Sequence, residues 1–144
     1  MRRDPAARRR RPAGVSLVEV CVALAVIGVL AATAWPSHLG SLYRARRADA
    51  VAALSRLHMA QEQHRARTGE YVGTMSGLGS AGRVRSDEGH YLLSVEPAEP
   101  GSVVLVATAR GDGPQAGDTA CPTLTLHLRQ GFADAGPDGR CWNR

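Results

Sequence analysis

The hydrophobic pattern of the chain begins with one long apolar run. Residues 15–35 hold a single charged side chain, Glu19, and two hydroxyl side chains, Ser16 and Thr33. As a helix with a rise of about 1.5 Å per residue, this run spans roughly 31 Å, which is enough to cross the ~30 Å hydrocarbon core of a bilayer. The pattern therefore predicts a membrane-spanning helix near the N-terminus.

A second helical pattern follows. Residues 41–67 contain neither Pro nor Gly and are rich in Ala, Arg, Leu and Gln, which favour helices. One face is predicted to contact a core and carries Tyr43, Ala50, Ala53, Leu54, Leu57 and Ala60. The opposite face is made of small side chains, namely Ala45, Ala48, Ala52 and Ser55. Such a face suits both a bundle of like helices and an ordinary soluble helix.

Two positions are predicted to kink or end this helical region. Pro36 is predicted to kink the helix, because proline lacks a backbone donor and clashes with the preceding turn. Gly69 is predicted to end it with a left-handed cap. A helix over residues 15–67 would be about 80 Å long if unbroken, so its N-terminal half must be buried by membrane or by other subunits.

The C-terminal half carries the pattern of strands. Short apolar runs at residues 91–95, 103–109 and 123–128 are bounded by Pro, Gly or Asp. The links between them are too short for helical crossovers, which predicts an antiparallel meander with one face buried against the helix. The predicted fold class is therefore α+β.

Charge is concentrated at one end of the chain. Of the 18 basic and 13 acidic residues, six Arg and one Asp lie in residues 1–14, so the remaining 12 Arg and 12 acids balance. The pI therefore does not indicate a generally basic nucleic-acid binder. All basic residues are Arg, and the absence of Lys excludes a Walker-type phosphate loop and Schiff-base chemistry. A basic flank before an apolar helix predicts a cytoplasmic N-terminus.

The three cysteines divide into two kinds. Cys121 and Cys141 favour a disulfide, provided that the chain leaves the cytosol, whereas Cys21 in the apolar run is expected to be a small buried hydrophobe. Neither the cysteines nor the five histidines have metal-ligand spacing. No nucleophile and base constellation stands out, so we expect no metal, no cofactor and no enzymatic activity.

Glu19 distinguishes between interpretations of the apolar run. The run could be a secretory signal peptide, which is cleaved after its apolar region; the small residues 31–34 would then form the cleavage site. It could also be a plain membrane anchor, which is not cleaved. Neither explains Glu19, whose charge costs on the order of 2.5–3.5 kcal/mol inside a bilayer and is by default functional.

The segments GVSLVE at residues 14–19, VIGVLAA at residues 26–32 and PS at residues 36–37 resemble the N-terminal signature of type IV pilins and pseudopilins. The resemblance implies that a prepilin peptidase cuts between Gly14 and Val15 and methylates the new N-terminus at Val15. It also implies that Glu19, fifth in the mature chain, acts in assembly. Val15 stands where the family usually has Phe.

The rest of the chain resembles the PilE-type minor pilins of Gram-negative bacteria, including the subgroup of the DNA-uptake-sequence receptor pilin. The resemblance is carried by RARRADA at residues 44–50, GEY at 69–71, QAGD at 115–118, LTL at 124–126, CW at 141–142, and Cys121 and Gly131. It implies a pilin fold, a long helix on a small antiparallel sheet, in which the loop closed by Cys121 and Cys141 is the displayed surface.

These resemblances imply three parts: a basic leader, residues 1–14, that is removed; a transmembrane and assembly helix, residues 15–40; and a head, residues 41–144. The implied function is that of a structural minor pilin, with a DNA-binding receptor pilin or a type II secretion pseudopilin as alternatives. The implied partners are other pilin subunits, prepilin peptidase, the inner-membrane assembly machinery, the lipid bilayer and, for the receptor, DNA. The implied location is the inner membrane, N-terminus cytoplasmic, followed by periplasm and extracellular fibre.

Arginines outside the leader are the candidate anion contacts. Arg44, Arg46 and Arg47 form one basic cluster, which could contact DNA or anionic headgroups, but a solvated face or ion pairs with acids such as Asp49 is the favoured explanation, because specific DNA binding needs a wider basic surface. Two more lie near the C-terminal cysteines, where Asp134 and Asp138 offset Arg129 and Arg140.

Overall fold

The computed structural model describes residues 14–82 and 84–142. The chain divides into two compact units, Met1–Ser37 and His38–Arg144. One helix, α1, extends over Leu17–Thr68 and is assigned as helical through position 36. The bend expected at Pro36 stays a prediction. Residues 1–13 of the predicted leader lie outside the described residues.

The second helical pattern is confirmed in the C-terminal unit. Ala50, Ala53, Leu54 and Leu57 are at most 1% exposed, while the small residues predicted for the opposite face are exposed. Tyr43 and Ala60 are half-buried at the margins of the core face. The helix ends as predicted: Gly69 has a φ of 87° and its N–H donates to the carbonyl oxygen of Arg65 at 2.8 Å.

Four antiparallel strands form the sheet. They are β1 (Tyr91–Pro97), β2 (Ser102–Ala109), β3 (Thr123–Arg129) and β4 (Phe132–Gly136), paired in sequence order. The predicted meander is confirmed for the first three. The fourth was not predicted, because the sequence FADAG has no strand-like alternation and its first three residues are exposed.

The core lies between α1 and one face of the sheet. Register places Leu93 of β1 opposite Ala107 of β2, and Ala107 opposite Leu124 of β3, so that inward side chains form rows across the sheet. The rows belong to the same buried cluster as the core face of α1. Fully or nearly fully buried large side chains in this cluster include Tyr91, Leu105, Leu124, Leu128, Leu54 and Leu57.

The segment between α1 and β1 is attached through side chains of the helix. Gln61 is fully buried and pairs with the backbone of Val72, donating from Nε2 to its carbonyl at 2.7 Å and accepting its N–H at 2.9 Å. A short 3₁₀ helix, Ser76–Ala81, follows. The first part of the loop is therefore held by a polar side chain of the helix, while Arg85 near its end forms an antiparallel β-bridge with Leu92.

The predicted disulfide between Cys121 and Cys141 is present, with Cα atoms 5.6 Å apart. It joins the start of β3 to the C-terminal loop, and both cysteines are buried. Cys21 is free and exposed on α1. The expectation of a buried Cys21 is therefore not met within this chain, because the cysteine lies on a segment whose apolar side chains are themselves exposed.

Candidate functional site

The N-terminal part of α1 exposes an apolar surface. Glu19 is the one charged residue between positions 14 and 32, and it lies in the first turn of the helix. An apolar surface this dense is typical of a segment that contacts lipid or other protein chains. Its exposed large side chains are Val15, Leu17, Val18, Val20, Val22, Leu24, Val26, Ile27, Val29 and Leu30.

The bond between Gly14 and Val15 lies just ahead of α1. The helix begins at Leu17, and both residues of the bond are exposed outside it. No atom lies within 4 Å of the position that a Cβ would occupy at Gly14. The bond predicted for processing is therefore exposed in a non-helical stretch, while the processing itself stays a prediction.

Two kinds of site are not found within residues 14–82 and 84–142. No helix there combines the length and the hydropathy that identify a membrane span. No group of three or more His, Cys, Asp or Glu side chains in those ranges is arranged to hold a metal ion. The bilayer-spanning role of residues 15–35 stays a prediction.

The three arginines of the predicted basic cluster have different environments. Arg44 is exposed, with Nε 3.4 Å from the carbonyl oxygen of Gly40. Arg46 donates from Nη1 to the carbonyl oxygen of Pro114 at 2.9 Å. Arg47 is only 7% exposed. Placing Arg47 in an exposed anion-binding cluster is therefore wrong, because its guanidinium faces the interior of the head and is already engaged there.

Arg47, Gln115 and Asp118, here called the Arg47 cluster, form a buried polar group between α1 and the β2–β3 loop. Arg47 donates from Nε and Nη2 to the two carboxylate oxygens of Asp118 at 2.7 and 2.6 Å. Gln115 donates from Nε2 to Asp118 at 2.8 Å. The hydrogen bonds to Asp118 raise the pKa of Arg47 above its ordinary value, against the opposing effect of burial.

Asp49 also has a partner different from the expected one. Its carboxylate was expected to pair with neighbouring arginines, but it is buried and accepts backbone N–H groups of Glu88 at 3.1 Å and His90 at 3.3 Å. Asp49 thereby holds the segment that leads into β1. Arg47 and Asp49 of the helix thus each hold a loop of the head in place.

Tyr91 and Gln115 place polar atoms in the core. Both residues are fully buried, and neither Tyr91 Oη nor Gln115 Oε1 has a hydrogen-bond partner within the described part of the chain. Burial is the main cause that raises the pKa of Tyr91 to about 12. The Tyr91 hydroxyl is therefore neutral at physiological pH and acts as part of the core.

The remaining candidate anion contacts, Arg129 and Arg140, lie between Cys121 and Cys141 in the sequence. Arg140 is highly exposed and pairs with Asp138 through Nη2 at 3.0 Å. That arginine, together with the N–H of Cys141, holds the pKa of Asp138 below its usual value. Arg129 is exposed at the end of β3. Within the C-terminal loop, the charges of Arg140 and Asp138 therefore offset each other.

A groove of about 460 Å³ lies over the outer face of the sheet. The outward side chains of β3 and β4 line it, and Phe132, 79% exposed, stands at its edge. Sequence reasoning missed this groove because β4 was not predicted. Its lining combines acids with bases, namely Glu99, Asp134, His127 and Arg129. This balance does not favour a polyanion.

Comparisons with known proteins agree with this geometry. A family model described as type IV minor pilin ComP, DNA uptake sequence receptor, matches residues 36–125, which is more than half of the chain. A second, described as the prokaryotic N-terminal methylation motif, matches residues 9–35 and implies a membrane-anchored pilin. No curated protein gives a significant match. The helix on a four-stranded antiparallel sheet, the disulfide and these two adjoining matches together show that the chain belongs to the ComP family of type IV minor pilins.

Proposed function

We propose that this minor pilin is processed after Gly14 and enters a type IV pilus through the apolar part of α1, with Glu19 setting its axial position. The role is structural. The observation that carries the proposal is the exposed apolar surface between residues 15 and 30, which contains one carboxylate. A surface of this kind is stable only when lipid or other helices cover it.

Processing after Gly14 is supported by the position of the bond. Gly14 and Val15 are exposed ahead of the first helical residue, where a peptidase can reach the backbone. Mass spectrometry of membrane or fibre fractions is expected to find an N-terminus at Val15, with or without a methyl group. An N-terminus near residues 33–35 would indicate an ordinary secretory signal and would contradict the proposal.

Glu19 has a natural partner once the leader is removed. The new amine at Val15 lies just ahead of the first turn of α1, which contains Glu19, so the two charges are close along the chain. The same charges can meet between chains when one helix lies beside another. In hydrocarbon an unpaired carboxylate is costly and a paired one much less so, so the pairing favours one axial register in the fibre.

The test is Glu19→Ala, with Glu96→Ala on the exposed edge of β1 as the matched carboxylate control. Glu19→Ala is expected to be cleaved normally, because Gly14 and the basic flank are unchanged, but to be depleted from sheared fibres. The control is expected to enter fibres at the wild-type level. If Glu19→Ala and the wild type enter fibres equally, the charge pair does not direct assembly.

The proposed topology follows from the leader charge. Six arginines ahead of the apolar run favour a cytoplasmic N-terminus and place the head, residues 41–144, in the periplasm and later on the fibre. The partners are then prepilin peptidase, the inner-membrane assembly machinery and neighbouring pilins. A reporter enzyme that works only in the periplasm is expected to be active when it is fused after the head, and one that works only in the cytoplasm is expected to be inactive there.

DNA reception is the second candidate function. It is favoured by the match to a family described as a DNA uptake sequence receptor. Of the arginines predicted as anion contacts, Arg44, Arg129 and Arg140 are exposed. If they bind DNA, a triple Ala variant is expected to lose affinity and salt dependence in a filter-binding assay. The same family match supports a pilus component over a secretion pseudopilin.

A further inference from the structure

Two loops of the head lack strand pairing yet are attached to the same turn of α1. The β2–β3 loop, residues 110–122, turns its buried residues Gln115 and Asp118 toward the helix. The C-terminal loop, residues 137–142, brings the carbonyl oxygen of Arg140 to within 3.3 Å of Arg47 Nη1. Both loops therefore contact the same side chain of the helix, that of Arg47.

Arg47 uses all three guanidinium nitrogens in these contacts. Nε and Nη2 bind Asp118 in the β2–β3 loop, and Nη1 binds the backbone of the C-terminal loop. The guanidinium is planar and rigid, so fixing one of these contacts constrains the direction of the other. A lysine ammonium has no such fork and cannot reproduce the geometry.

Neighbouring contacts reinforce the arrangement without replacing it. Gln115 donates from Nε2 toward the carbonyl oxygen of Tyr43 at 3.3 Å, and Tyr43 contacts Gly117 so closely that a Cβ there would overlap its hydroxyl. These contacts involve the β2–β3 loop alone. Arg47 reaches both loops from the helix.

We infer that Arg47 is a positioning residue that holds the β2–β3 loop and the C-terminal loop as one surface. The disulfide already joins the two segments covalently, three residues after Asp118 and one residue after Arg140. Arg47 adds their orientation relative to the helix, which a single covalent link between the two segments leaves undetermined. The surface exposed by the minor pilin is therefore composite, built from two loops that are distant in sequence.

The experiment compares Arg47→Lys and Asp118→Asn with Arg56→Lys as the matched control. Arg56 is an exposed arginine of the same helix that pairs with Asp87 and contacts neither loop in the described contacts. Hydrogen exchange is measured on the full chain in detergent. Amides that report on the loops include those of Gly113, Ala116, Asp118 and Cys141, each hydrogen-bonded within its loop.

Both test variants are expected to exchange these loop amides about tenfold faster while the amides of β1–β3 keep their protection, because local opening does not require global unfolding. The control is expected to match the wild type. Unchanged loop exchange would overturn the inference. A uniform acceleration over loops and strands would also overturn it, since it would show that Arg47 acts only on overall stability.

A second measurement does not depend on exchange. Cys121 and Cys141 are 3% and 1% exposed, so reduction by dithiothreitol under native conditions requires the loops to open. The test variants are expected to be reduced about tenfold faster than the control at an equal melting temperature. Equal reduction rates would show that the loops keep their positions without Arg47 and would overturn the inference.

Discussion

The hydroxyl of Tyr71 joins the end of α1 to the β3–β4 turn by accepting the backbone N–H of Gly131 at 3.0 Å. The same hydroxyl donates to Glu62 Oε1 at 2.7 Å. Arg65 binds the other oxygen of Glu62 at 2.7 Å and lies 5.6 Å from the Tyr71 ring centroid. One phenol therefore links the helix, the loop after it and the turn that introduces the unpredicted strand.

Tyr71→Phe tests this link. Removing the hydroxyl leaves the ring in place but deletes one accepted and one donated hydrogen bond. We expect a loss of about 1–2 kcal/mol in the free energy of unfolding, because net hydrogen bonds are worth roughly 1 kcal/mol each. Urea titration gives the stability, and faster amide exchange at Gly131 is expected beside it. Unaltered exchange there would contradict the assignment.

Tyr91→Phe is the matched substitution, and it is expected to leave the free energy of unfolding nearly unchanged. The Tyr91 hydroxyl is buried with no hydrogen-bond partner among the described residues. Deleting it removes a desolvated polar group whose interaction with Gln115 does not form a regular hydrogen bond, so the change in unfolding free energy is expected to stay within about 0.5 kcal/mol or to favour the variant. A loss above ~1 kcal/mol in the same urea titration would show that the hydroxyl is satisfied after all.

Glu62 predicts a dependence of stability on acidic pH. Hydrogen bonds from Arg65 and then Tyr71 hold the pKa of Glu62 below its usual value of 4.5. A carboxyl with a lowered pKa in the folded state stabilises the protein above its unfolded pKa, and this contribution is lost as pH falls through the folded pKa. Glu62→Gln is therefore expected to be destabilising at pH 7 and less so at pH 3. Equal losses at both pH values would contradict it.

The disulfide is expected to contribute substantially to the stability of the head. Cys121 and Cys141 are 20 positions apart, and opening a loop of this size is expected to cost about 3 kcal/mol. The double variant Cys121→Ala/Cys141→Ala is therefore expected to lower the urea midpoint clearly. Cys21→Ala, which removes a free exposed thiol, is the control and is expected to leave the midpoint unchanged.

Much of the fold could be predicted because periodicity reports burial directly. The spacing of Ala50, Leu54 and Leu57 gave the core face, and alternation in β1 and β3 gave the sheet. β4 could not be predicted, because pairing with β3 rather than its own composition makes it a strand.

The environment of Arg47 was only half accessible to sequence reasoning. Arg47 lies three residues before Ala50 and four after Tyr43, so helical spacing already places it on the core face, a signal that its basic neighbours obscured. Its partner Asp118 is 71 positions away. No local pattern specifies such a pair, because the tertiary fold brings the two together.

The distribution of buried residues separates two ways in which a mutation can impair this pilin. Wherever burial is described, every buried hydrophobic side chain lies at position 50 or later. Substitutions in the core are expected to act through abundance, because destabilised chains are removed by proteases. Substitutions between residues 15 and 30 do not change the core and are not expected to cause this removal. Natural selection on this segment therefore acts through its contacts with the membrane and neighbouring subunits. The two halves of the gene can therefore diversify under different pressures.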